Sequence, residues 1–270
     1  MSTRLSRRGS FAIAAVIAML LVASWPTRAQ WWENLPTDTI PRTSDGAVDL
    51  SAPAPRTPDG RPDLSGIWEL TTRPPYSRNL ARDLDPDAVP FQAWARTLAE
   101  ERADGSHSLE DPPASCLAQG VPRIGGAPAP WKIVQRPDLI VILYEAFTLW
   151  RQVFLDGRRL AAAVNPTWLG YSTGTWDGDT LLVDTRGFNG RAWLDQVGKP
   201  STESLHVIER YRRTDLGHMD IEITIDDPGA YTEPWTITQQ FRLLPDTELL
   251  EFICNENNRD LGHLPGASTK

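Results

Sequence analysis

The sequence predicts an all-β protein: a barrel of about ten antiparallel strands connected up and down, with one helix and a long Pro/Gly-rich loop, and a β-sandwich as the alternative. Three observations predict it. From Trp131 onward apolar residues alternate at period two or run continuously in β-branched and aromatic types. Turn residues break that pattern every eight to twelve positions or so, the spacing of hairpin-linked strands. Helical periodicity is confined to one short stretch, which excludes a βαβ fold.

The chain opens with basic Arg4, Arg7 and Arg8, an apolar run over 11–25, and small residues at Thr27 and Ala29. That is the layout of a secretory signal peptide over 1–29, cut before Gln30. The apolar run is shorter than the roughly twenty residues of a bilayer-spanning helix, so no membrane span is expected after cleavage. Arg7-Arg8 also fits a twin-arginine signal, so the export route stays open. A periplasmic or secreted location follows. Cleavage leaves 23 basic against 35 acidic side chains, a net charge of −12. Such an acidic chain is not built for nucleic acid or an anionic membrane.

Residues 30–62 are rich in Pro, Thr and Asp without apolar periodicity and read as an extended arm; the remainder, 63–270, reads as a single domain. Gly66-Ile67-Trp68 is the first strand. Over 85–103, Pro86, Val89, Trp94 and Leu98 with Glu100-Glu101-Arg102 predict an amphipathic helix. Residues 104–130, with Pro112-Pro113 and Gly125-Gly126, form the long loop. The remaining strands are expected at 131–135, 139–148, 151–155, 171–176, 180–185, 205–213, 218–226, 235–243 and 248–254. Asp156-Gly157, Asp177-Gly178-Asp179, Leu216-Gly217, Asp227-Pro228-Gly229 and Pro245-Asp246 carry turn chemistry between them. The two cysteines, Cys116 and Cys254, are expected to form a disulfide in an oxidising compartment.

Gly66-Ile67-Trp68 ahead of a run of hairpins resembles the Gly-x-Trp strand of lipocalins and other calycin barrels. The stretches 131–135, 170–180, 205–210 and 225–228 resemble a large set of secreted bacterial proteins of uncharacterised function. That resemblance covers about 63–263 and implies one exported domain, with no activity attached.

Alternation along the strands nominates side chains for chemistry. Glu145 falls on the stripe of Leu139, Val141 and Leu143, Glu209 on that of Val207 and Tyr211, and Glu251 between Leu249 and Ile253. Carboxylates on faces turned into a barrel would approach one cavity, where burial and like charge raise a pKa toward working pH. The opposite reading pairs each acid with an arginine such as Arg151, Arg210 or Arg242. His206 lies mid-strand on the face opposite Glu209, so any catalytic partner must come from another strand. The four histidines lack metal-ligand spacing, and no metal or cofactor is expected: there is no phosphate-binding glycine loop, dinucleotide fingerprint or Cys-x-x-Cys.

Eleven tryptophans are many for this length, and those near turn ends would ring a barrel mouth. Trp150, Tyr171, Trp176, Trp193 and Trp235 are the candidate ligand-binding aromatics, with Trp168 also near a turn. The expected function is an exported barrel that binds a small apolar or aromatic molecule in its interior. The rival is a periplasmic lyase, isomerase or hydrolase using Glu145, His206, Glu209 or Glu251 in acid-base catalysis; a third reading docks the acidic surface and the arm to an envelope partner.

Overall fold

Nine strands close into a barrel in the computed structural model, each hydrogen-bonded to its neighbours in chain order and the last to the first. They are β1 (Gly66–Leu70), β2 (Trp131–Gln135), β3 (Leu139–Tyr144), β4 (Leu149–Phe154), β5 (Tyr171–Asp177), β6 (Thr180–Arg186), β7 (His206–Arg213), β8 (His218–Asp226) and β9 (Trp235–Leu243). The structure describes residues 40–85, 87–160, 164–256, 259 and 263. The signal segment, Trp31, Trp32 and Pro86 lie outside these. No helix among the described residues is long and apolar enough to cross a membrane.

Period-two patterning sets which side faces the core. In β8, Met219, Ile221, Ile223 and Ile225 are buried, while Asp220, Glu222 and Thr224 between them are not. β9 buries Trp235, Ile237, Gln239, Phe241 and Leu243 in the same way. At one end of the barrel Trp68 of β1 is fully buried beneath the Arg213 guanidinium, 4.9 Å from its ring centroid. Arg213 in turn donates to the backbone carbonyls of Asp63, Ser65, Asp215 and Leu216. Gly66 is required here: its φ is +141°, and a Cβ would lie 2.5 Å from Leu243 Cδ1. Val121, Pro122, Ile124 and Gly125 line the barrel's interior cavity together with Trp131 and Tyr144, and Trp131 Nε1 donates to the Gly125 carbonyl at 3.2 Å.

Three expectations are corrected. The strand over 248–254 is absent; residues 251–253 are irregular and Cys254 begins a turn, which reduces the expected ten strands to nine. β4 and β5 run parallel, so the two are not joined by a tight turn at Asp156-Gly157. The helix, α1, spans Ala93–Arg102. Pro90 disfavours helical backbone at Val89, and a bridge from Phe91 to Tyr231 holds the preceding chain extended.

The arm, described from residue 40, is more ordered than its composition suggests. Pro41-Arg42-Thr43-Ser44-Asp45-Gly46 and Pro55-Arg56-Thr57-Pro58-Asp59-Gly60 repeat one turn. In each copy the glycine N–H donates to the threonine carbonyl, at 2.9 and 2.8 Å, and the arginine donates to the glycine carbonyl. Leu64 follows the second turn and is fully buried. Cys116 and Cys254 form a disulfide that joins the long loop to the segment beyond β9.

Candidate functional site

The barrel interior holds a buried polar cluster. Arg151 of β4 and Glu209 of β7 point inward, 3% and 4% exposed, and pair through the terminal guanidinium nitrogens Nη1 and Nη2. Arg151 also donates to Ser172 Oγ at 2.9 Å and to Thr185 Oγ1 at 2.6 Å, and the Tyr211 hydroxyl donates to Glu209 at 3.0 Å. Burial opposes the Arg151 charge, but Glu209 with Tyr211 and Tyr144 outweighs it, so the guanidinium stays ionised. Burial, opposed by Arg151 and reinforced by Glu209, pushes the Tyr144 hydroxyl up to about 12. The same desolvation, joined by the charge of Glu209, raises Tyr211 well above its ordinary value. All three guanidinium nitrogens and both carboxylate oxygens of the ion pair thus have partners inside the barrel.

Little space remains beside this cluster. The cavity it lines with Trp131, Tyr144, Gln239 and Phe241 measures about 10 Å³, room for about one water. Gly170-Tyr171-Ser172-Thr173-Gly174 has the spacing of a nucleophile elbow. It lies along β5, however, with Ser172 buried and bonded to Arg151, rather than on an exposed strand-to-helix turn.

The acids do not converge. The buried face of β3 is Ile140, Ile142 and Tyr144, the reverse of the stripe that carries Glu145 in the sequence reading. Glu145 instead accepts a hydrogen bond from the Leu250 N–H at 2.7 Å outside the barrel. Glu251 is exposed on the irregular segment. His206 faces outward between Asp184 at 2.8 Å and Asp226 at 3.7 Å. Among the four residues nominated for catalysis, only Glu209 lines the interior cavity.

A larger space lies on the outside, where β4 meets β5. The two strands pair only at Val153↔Ser172 and Phe154↔Thr173, leaving residues 149–152 without a strand partner on that side. Facing them, residues 167–170 are held away by a bridge from Thr167 to Phe188 and by hydrogen bonds from Thr167 to Gly187 and Asn189 to Thr167. The seam opens into a groove of about 400 Å³ walled by Leu149, Trp150, Phe154, Trp168, Leu169 and Tyr171. Trp150 is 60% exposed, the most of any large apolar side chain among the described residues. Among the described residues the only acidic or basic side chain in this lining is Arg151, each of whose guanidinium nitrogens already has a partner in the barrel.

Two of the five nominated aromatics, Trp150 and Tyr171, thus share one groove. The other three are dispersed. Trp235 is core, packed edge-on against Tyr231 at 5.5 Å. Trp193 is buried beneath the Arg102 guanidinium at 4.0 Å, and Trp176 lies 5.8 Å from that of Arg61. Trp168, on the opposite wall, was marked in the sequence by its place near a turn, whereas the parallel pairing that creates the groove leaves no trace in periodicity. No protein family, characterised protein or solved structure matches this chain.

Proposed function

We propose that this chain is an exported, calycin-like binding protein that carries a small, uncharged aromatic or apolar molecule in the groove between β4 and β5. The groove itself is the observation that carries the reading: about 400 Å³ of space lined by two indoles, with aliphatic and aromatic walls and Arg151, paired with Glu209, as its charged side chain. That volume falls within the range of ordinary ligand sites. The barrel interior, with room for about one water, gives no comparable space. Export is supported by the signal layout over 1–29.

Titration of the full chain with N-phenyl-1-naphthylamine, an uncharged aromatic fluorophore, tests the site. Saturable binding is expected, weakened about tenfold by Trp150→Ala or Trp168→Ala through lost ring contact. Undiminished affinity in both variants overturns the assignment.

A further inference from the structure

A second cleft has different chemistry. It lies between α1 and the turns at 79–85 and measures about 440 Å³. Leu84, Val89 and Phe91 form apolar walls, while Ala99 of α1 and Ala103 at its C-cap, one turn apart, leave the space open. The cleft is also lined by Lys199, whose side chain is only 10% exposed. Its Nζ donates to Asn79 Oδ1 at 2.9 Å and to Asp195 Oδ2 at 3.0 Å. Asp195 is itself fully buried and accepts from the backbone N–H groups of Leu80 and Lys199, so the lysine is held in place from behind. An ammonium has three donors, and two of them have partners here.

A second cation stands over the cleft. Arg96 of α1 is held 5.3 Å from the Phe91 ring centroid, and among the described residues it makes no ion pair. The lining carries three cations, Arg82, Arg96 and Lys199, against two acids, Asp85 and Glu100, in a chain whose net charge is −8. Arg82 is engaged with Asp83 and with the carbonyl of Pro74. Lys199 and Arg96 therefore have donors to offer, one within the cleft and one exposed beside it, with apolar walls nearby.

We propose that this cleft binds a small organic carboxylate with an apolar or aromatic body, its oxygens received by Lys199 and Arg96. The site is independent of the seam groove. Calorimetric titration of the full chain with benzoate and hexanoate, and with benzamide and hexanamide as uncharged partners, tests it. The carboxylates bind saturably and the amides about tenfold more weakly, the difference a charge-assisted hydrogen bond makes. Lys199→Met abolishes binding. Arg96→Gln and Ala99→Phe, both at positions outside the buried core, weaken it several-fold and keep the test valid if the lysine variant fails to fold. Saturating phenylnaphthylamine leaves the carboxylate isotherm unchanged. No saturable binding, equal affinity for acid and amide, or no effect of Arg96→Gln and Ala99→Phe overturns the proposal.

Discussion

At the scale of single residues, the Arg151–Glu209 pair shows how a buried charge shapes this barrel. Both groups are nearly inaccessible, so each depends on the other and on Ser172, Thr185 and Tyr211 to offset lost hydration. Removing one partner leaves the other buried and unpaired. Arg151→Leu and Glu209→Leu are each expected to cost about 3–5 kcal/mol in urea unfolding. The double variant should recover much of that loss; additive losses would show that the two side chains do not act as a pair. Tyr144, beside them, links stability to alkaline pH. Its hydroxyl ionises near 10 when unfolded and only at about 12 when folded. Between those values the unfolded chain has given up a proton that the folded chain still holds. The contribution is complete below pH 10 and is lost as pH rises toward 12, about 2–3 kcal/mol in all. Tyr144→Phe should flatten the fall in unfolding free energy measured from pH 9 to 12 by about one titrating group; an unchanged slope would place the alkaline sensitivity elsewhere.

At the scale of elements, strand location was legible where one face is buried and the other wet. β2, β8 and β9 begin and end where alternation places them, because a clean period-two pattern fixes both extent and facing. β3 was not legible in its facing: Leu139–Tyr144 is apolar throughout, so pattern alone does not separate Ile140, Ile142 and Tyr144 inside from Leu139, Val141 and Leu143 outside. The segment 248–254 has the alternation of a strand but no partner to pair with, since β1 already occupies the free edge of β9. The repeated Pro-Arg-Thr-x-Asp-Gly turns of the arm were present in the sequence as self-similarity, and hydrophobic periodicity does not register them. The candidate groove was half visible, through Trp150 and Tyr171. Its cause, the short parallel contact of β4 with β5, is a tertiary matter that local periodicity does not encode. That contact also makes the seam the weakest closure of the barrel: two residue pairs against eight between β8 and β9. Amide hydrogen exchange should accordingly be fastest, within the strands, at residues 149–152 of β4 and 171–173 of β5, and slowest in β8 and β9. Uniform protection around the barrel would argue against a seam that yields to ligand.

At the scale of the whole molecule, the barrel has two kinds of closure, the hydrogen-bonded ring and a covalent one. Cys116 precedes β2 and Cys254 follows β9, so the disulfide encloses eight of the nine strands within a separation of 138 residues. Folded, that link is backed by local contacts: Thr148 donates to the Phe252 carbonyl, Phe147 and Phe252 rings lie 5.5 Å apart, and Glu145 holds the Leu250 N–H. The barrel does not depend on the bond for its strand pairing, because the ring closes through β1 and β9 without it. Its effect falls on the unfolded chain, whose freedom it curtails across most of the sequence, worth up to about 5 kcal/mol for so long a loop. Replacing both cysteines by serine should therefore leave the circular dichroism of the folded state unchanged while lowering the urea midpoint. A changed spectrum would mean that the segment tethered at Cys254 holds the end of the barrel in place. An unchanged midpoint would mean that the contacts of Phe252 and Leu250 persist in the unfolded chain and already restrict it.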